Sequence, residues 1–286
     1  MTGHVLRRRQ RSGAMTIMPT TPDIQFVPHK QGRVAYREAG TGPTLLLFHG
    51  MNGTSRSWSF AFEALSPFFR IIAWDAPSCG ESDCFGDLVE DYVAAARSLI
   101  ETLDLQNVVV IGHSMGGVVA AQLVADPSMS ITGLILSSTH LGFGRPAGEP
   151  LMSRYATRIE RLEAKGAGAE YGLERAKRNT PNGTPEDVIL FLADIAKDIR
   201  VEQIRDGGRM SQEADNAAFG ELITVPILIL SGGKDTVISP EMHDALIKAF
   251  PSAEQVVFPN AGHASYAECP EQYHAEIRKF ADRTTG

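Results

Sequence analysis

The stretch Asn107–Ala125, NVVVIGHSMGGVVAAQLVA, decides the fold. It opens with Asn107-Val108-Val109-Val110-Ile111, a short apolar run rich in β-branched residues, which is the pattern of a buried strand. It closes with Gly117 to Ala125, which reads as a helix leaving the turn directly. Between them lies Gly112-His113-Ser114-Met115-Gly116. Strand, G-x-S-x-G, helix is the context of a nucleophile elbow, a turn so sharp that the serine backbone is strained and its neighbours must be small. Gly112 and Gly116 supply that room. The Ser114 hydroxyl then stands at a strand tip, and the helix N-terminus aims free N–H groups and a partial positive charge beside it.

An alcohol is a poor nucleophile at neutral pH and needs a general base, usually His, oriented by an acid. In a strand–elbow–helix architecture the chain order is Ser, then Asp or Glu, then His. Pro226-Ile227-Leu228-Ile229-Leu230-Ser231 reads as another buried strand, and Asp235 follows it in Gly232-Gly233-Lys234-Asp235. Ala253-Glu254-Gln255-Val256-Val257-Phe258 reads as the next strand, and His263 follows it in Ala261-Gly262-His263. In a parallel sheet these strand ends share one edge, where open α/β sheets bind ligands.

With these residues in place, the chain resembles the α/β-hydrolase fold enzymes of the esterase, lactonase and carbon–carbon hydrolase group. The resemblance rests on His49-Gly50-Met51-Asn52-Gly53, Asp75-Ala76-Pro77-Ser78-Cys79-Gly80-Glu81-Ser82, the Ser114 elbow, Gly233-Lys234-Asp235 and Ala261-Gly262-His263. It runs from about residue 30 to the C-terminus, and it is specific for the fold rather than for a substrate. It implies a Ser114–His263–Asp235 catalytic triad. It also implies an oxyanion hole formed by the backbone N–H groups of Met51 and Met115, with Asn52 as a substitute for Met51. Where similar sequences have Gly after the proline of the Asp75 turn, this chain has Ser78.

The other polar candidates read more plainly. His49 is expected to hydrogen-bond within its own loop, and Asp75 to hold its turn together as an Asx residue. His140 either lines the pocket or bonds locally. Cys79, Cys84 and Cys269 show no metal spacing, and an odd number argues against a disulfide framework. No phosphate loop, dinucleotide fingerprint or zinc motif occurs, so no metal or organic cofactor is expected.

Composition sets outer bounds. The chain has 286 residues, 43% hydrophobic and 21% charged, enough for one large α/β domain with an insertion. A net charge of −7 argues against nucleic acid as a partner. No apolar run approaches membrane-spanning length. Residues 1–21 carry Arg7, Arg8, Arg9 and Arg11 without an apolar core, so they read as an unstructured leader, with Met15 and Met18 as alternative starts. The few cysteines suit a cytoplasmic location. A homodimer is compatible with the sequence, but no heptads specify one.

The α/β core is expected over residues 22–140 and 221–286. Ile24 to Val27 and Arg33 to Glu38 read as an opening hairpin, and Asp87 to Leu103 as a helix by its apolar spacing. Residues 141–220 lose the strand pattern. Met152 to Ala164, Glu170 to Arg178, Pro185 to Ile199 and Glu202 to Ala214 read as four short amphipathic helices, and similar enzymes insert a cap at this place. Arg154, Arg158, Arg175, Arg178 and Arg209 read as solvated helix faces rather than as partners of a substrate carboxylate.

The leading functional reading is hydrolysis of a small carboxylic ester, lactone or ring-cleavage-type carbonyl substrate by acyl transfer. The alternatives are an amide or enamide hydrolase, a cofactor-free oxygenase or perhydrolase using the His–Asp pair alone, and a ligand receptor on the same fold.

Overall fold

The computed structural model describes residues 7–9, 15–17, 19–30 and 32–285. Of the expected leader, β1 (Arg7–Arg9) and β2 (Met15–Ile17) pair antiparallel as a separate two-stranded ribbon, and most of the rest lies outside the described residues.

An eight-stranded sheet forms the frame. Its strands are β3 (Ile24–His29), β4 (Gly32–Ala39), β5 (Thr44–Phe48), β6 (Arg70–Trp74), β7 (Val108–His113), β8 (Ile131–Ser137), β9 (Ile227–Gly232) and β10 (Glu254–Phe258). Their spatial order is β10-β9-β8-β7-β5-β6-β4-β3. From β10 to β6 all neighbours are parallel, while β3 and β4 form the expected antiparallel hairpin at one edge.

The period-two alternation of the central strands divides the core in two. Val108 and Val110 of β7 face one side with Leu46, Leu134 and Ile229, and α2 (Val89–Thr102), α3 (Met115–Val124) and α8 (Pro240–Ala249) cover them. Val109 and Ile111 face the other side with Leu45, Leu47 and Leu228, under α1 (Ser59–Leu65), the short α9 (Ser265–Glu268) and α10 (Pro270–Thr284). Because β7 is buried on both faces, it carries the continuous apolar run that its sequence shows.

Between β8 and β9 the chain forms four helices, α4 (Ser153–Lys165), α5 (Ala169–Asn179), α6 (Glu186–Ala196) and α7 (Val201–Glu213), each close to its expected span. They are bound to the core by hydrogen bonds. Gln203 Nε2 donates to Met51 O at 2.8 Å and Gly53 O at 2.9 Å. Ser78 Oγ bonds Asp206, and Arg200 donates to Ser82 O at 2.7 Å.

Candidate active site

Ser114 lies between β7 and α3 with φ 52° and ψ −120°, a conformation that costs an L-residue on the order of 1–3 kcal/mol. Surrounding bonds hold it there. Ser114 N–H donates to Ser137 O at 2.9 Å, and Ser114 O accepts from Gly117 N–H at 2.9 Å and Thr139 Oγ1 at 2.6 Å. The glycines of the turn are required by contact. A Cβ on Gly112 would lie 2.5 Å from Gly116 O, and one on Gly116 would lie 2.4 Å from Phe48 O.

The loop after β5 reaches Ser114 at close quarters. A Cβ on Gly50 would lie 3.0 Å from the His113 ring and 3.1 Å from Ser114 Cβ, tighter than ordinary contact, so a side chain there would press on the elbow. Met51 N–H and Met115 N–H both belong to residues lining the cleft over Ser114, and neither takes part in a loop backbone hydrogen bond among the described residues. The loop is fixed from behind. His49 Nδ1 bonds Gly50 O at 2.8 Å and His49 Nε2 accepts from Ala76 N–H at 3.0 Å, a neutral pattern that agrees with burial lowering its pKa. Asp75 also serves geometry, accepting Ser55 N–H at 2.6 Å and Glu81 N–H at 3.0 Å.

Asp235 and His263 sit on the loops after β9 and β10, where the parallel register brings them together. His263 Nδ1 lies 2.9 Å from Asp235 Oδ2, and the two side chains are only 5% and 7% exposed. Asp235 Oδ1 accepts Val237 N–H at 2.7 Å and Ile238 N–H at 3.1 Å. Burial alone would raise the Asp235 pKa, but the His263 contact and these two donors hold it below its ordinary value. An ionised Asp235 accepts a hydrogen bond from Nδ1–H of His263 and so leaves Nε2 as the basic nitrogen.

Ser114 and His263 line one cleft of about 950 Å³, its open mouth included. Among the described residues Ser114 Oγ takes part in no hydrogen bond, so the serine–histidine contact is not closed in this conformation. Contacts of this kind are often long in a free enzyme and tighten with substrate.

Several supporting residues carry no sequence signal. Glu268 accepts Gly262 N–H and Ala264 N–H at 3.0 Å each and so clamps the peptides on both sides of His263. His263 N–H donates to Asn179 O at 2.9 Å, which ties its loop to α5. His113 packs against His263 with ring centroids 4.8 Å apart, and burial first, then His263, holds its pKa well below the ordinary value. His140 lines the cleft, accepts Gly142 N–H at 3.0 Å, and is pushed down to about 4 by burial. Both imidazoles are therefore neutral neighbours at pH 7.

Two arginines of the helical segment depart from expectation. Arg154, Arg158, Arg175 and Arg178 all border the cleft, but Arg154 and Arg178 are exposed as expected, and only Arg158 and Arg175 are partly withdrawn from water. Arg209 instead pairs with Glu213 at 3.1 Å. Amphipathic spacing shows that a helix has a polar face, but not that this face closes over a cleft.

The sequence profile of the alpha/beta hydrolase family matches residues 45–276. The chain belongs to that family. A curated relative, the pimeloyl-[acyl-carrier protein] methyl ester esterase of Nitrosomonas europaea, is 27% identical over 82% of this chain and 94% of its own length. Two solved structures share the fold. An esterase from Exiguobacterium antarcticum superposes with a TM-score of 0.80 at 19% identity, covering 90% of this chain and 98% of its own. The enol-lactonase from Burkholderia xenovorans LB400 gives 0.79 at 22% identity, covering 90% and 99%. This alpha/beta hydrolase is accordingly a hydrolase enzyme, with a mostly parallel eight-stranded sheet and flanking helices. Among its described residues no helix is long and apolar enough to cross a membrane, and no group of three or more acidic, His or Cys side chains is placed to hold a metal ion.

Proposed function

We propose that this alpha/beta hydrolase is a serine hydrolase that cleaves a small carboxylic ester or lactone through an acyl-enzyme. The observation that carries this reading is the buried 2.9 Å His263–Asp235 pair opening into the same cleft as the strained, glycine-flanked Ser114.

The reaction runs in two halves. Ser114 Oγ attacks the carbonyl carbon while His263 Nε2 takes its proton. Asp235 holds the imidazole tautomer and stabilises the imidazolium. The carbonyl oxygen gains charge and moves toward the N–H groups of Met51 and Met115. One such donor is worth about 3 kcal/mol of barrier in comparable sites. Collapse of the tetrahedral intermediate breaks the bond to the leaving oxygen, which departs with the proton from His263. Water, deprotonated by His263, then attacks the acyl-enzyme and releases the acid. Helices α4 to α7 act as a cap. They wall the cleft, and their ties to the oxyanion and His263 loops pass through Gln203 and Asn179.

Turnover of a panel of 4-nitrophenyl and lactone substrates by wild type, Ser114→Ala and His263→Ala tests the reading. Both variants are expected to lose at least about a thousandfold in kcat. Retained activity in Ser114→Ala with loss in His263→Ala would instead assign the chemistry to the His–Asp pair alone.

A further inference from the structure

Four arginines line the Ser114 cleft, and no Asp or Glu lines it among the described residues. The whole chain carries a net charge of −7, so the positive wall is local. Elsewhere on these helices arginines are paired with acids: Arg161 with Glu174, Arg205 with Glu163 and Arg209 with Glu213.

Arg158 of α4 has only neutral partners. Its Nε and Nη2 reach the Tyr171 hydroxyl at 3.1 and 2.8 Å, Nη2 also reaches Asn52 Oδ1, and Nη1 reaches Met51 Sδ at 3.3 Å. Arg175 of α5, 12% exposed, gives one nitrogen to the surface residue Glu174 at 2.6 Å and keeps a buried Nε with no partner. Tyr171 organises the pair. Its hydroxyl holds Arg158, and its ring faces the Arg175 guanidinium at 5.7 Å. A half-buried cation supplied only with neutral acceptors carries a desolvation cost that an anion offsets. A carboxylate, with two oxygens, suits the N–H groups that these contacts leave unused on the two guanidiniums.

We propose that Arg158 and Arg175 form an anion subsite of this cleft, and that the substrate is a small ester or lactone bearing a second, ionised carboxylate. The proposal rests on the serine-hydrolase reading and adds the class of substrate. Arg158 touches Met51 and Asn52, the loop that supplies a candidate oxyanion donor, so the carboxylate lies a short acyl chain from the scissile carbonyl. The apolar lining from Leu192, Ile195, Val237 and Ile238 receives the uncharged remainder.

The test compares 4-nitrophenyl hemiglutarate with its neutral methyl diester, alongside calorimetric titration of glutarate and of inorganic phosphate into Ser114→Ala. Wild type is expected to favour the hemiester by about tenfold or more in kcat/KM. Arg175→Gln and Arg158→Gln are expected to raise KM for the hemiester about tenfold more than for the neutral diester, whatever Arg158→Gln costs both esters through its contacts to the Met51–Asn52 loop, and Arg158→Lys is expected to restore part of the preference. Glutarate is expected to bind Ser114→Ala and to lose about tenfold in affinity when Arg175→Gln is added. Equal Ser114-dependent turnover of both esters by wild type would overturn the subsite and leave the hydrolase standing. Equal losses on both esters in the arginine variants would reduce the residues to a structural role and overturn it too. If neither ester is turned over, the hydrolase reading fails on these probes and the titration decides the subsite: Arg175-dependent glutarate binding sustains it, no binding refutes it, and tighter binding of phosphate refutes the carboxylate assignment. Should an arginine variant fail to fold, the wild-type ester ratio and the Ser114→Ala titration decide alone.

Discussion

Gln203 Nε2 donates to the carbonyl oxygen of Met51 at 2.8 Å, joining α7 to the loop beside Ser114 across 152 positions of sequence. The same nitrogen holds Gly53 O at 2.9 Å, and Gln203 is fully buried. Two carbonyls of the proposed oxyanion loop are thereby held by one side chain of the proposed cap.

Gln203→Ala removes that brace. A buried carbonyl left without its donor costs about 1–3 kcal/mol, so the melting temperature should fall. The loosened loop should lower kcat roughly tenfold with little change in KM, below the hundredfold or more lost when an oxyanion donor itself is deleted. Steady-state kinetics on one ester checks this, and an unchanged kcat would show that the loop keeps its shape without Gln203.

Asp235→Asn keeps the size of the acid and removes its charge. The amide cannot accept the Nδ1 proton while satisfying the Val237 and Ile238 N–H donors in the same way, so His263 is left in the wrong tautomer. A loss of about 10⁴ in kcat is expected, the scale seen when a triad acid is so replaced. The wild-type carboxylate has a folded pKa below its ordinary 3.8. Its stabilising contribution is therefore fully present above that value and fades as pH falls through the depressed folded one. The melting-temperature difference between wild type and Asp235→Asn should shrink accordingly in acid.

Gly116→Ala places a methyl group 2.4 Å from Phe48 O and 2.8 Å from His49 O, both backbone atoms of a central strand and the proposed oxyanion loop. The elbow must open or the strand must shift, at a cost of about 3–5 kcal/mol. Thermal unfolding should show a large drop. A Gly148→Ala control meets nothing within 4 Å and carries only the strain of φ +81°, about 1 kcal/mol.

His274, on α10 and outside the cleft, is pushed down to about 4 by burial, as is His140. Between pH 6.5 and 4 the unfolded chain binds protons that these buried imidazoles refuse. Stability should therefore fall as pH falls across that window, by up to about 1.4 kcal/mol per pH unit for each His. Urea unfolding at pH 7 and pH 5 measures the slope, and His274→Leu should flatten it; an unchanged slope would show that His274 is protonated in the fold.

Much of this organisation is legible in the residues. The β-branched runs before Ser114, Asp235 and His263 give the strands, their chain order gives the loops, and apolar spacing gives α4 to α7 within one to three residues at each end. Among the described residues the α-helices not anticipated are α1, a short aromatic segment with no side-chain cap, α8, whose Ser239-Pro240 start is a recognisable cap signal, and α9, a single turn just after His263. The brace from Gln203, the Glu268 clamp on the His263 loop and the inward turn of Arg158 and Arg175 are not legible. Each depends on how the helical segment sits on the sheet edge, and no local periodicity encodes that placement.

The most direct measurement is intact-mass analysis after treatment with an alkyl fluorophosphonate. Wild type should gain one adduct, mapped by peptide sequencing to Ser114, with loss of ester hydrolysis in step. Ser114→Ala should gain none, and His263→Ala should react far more slowly. An adduct on another residue, or full ester hydrolysis by Ser114→Ala, would contradict the account of Ser114 as the nucleophile.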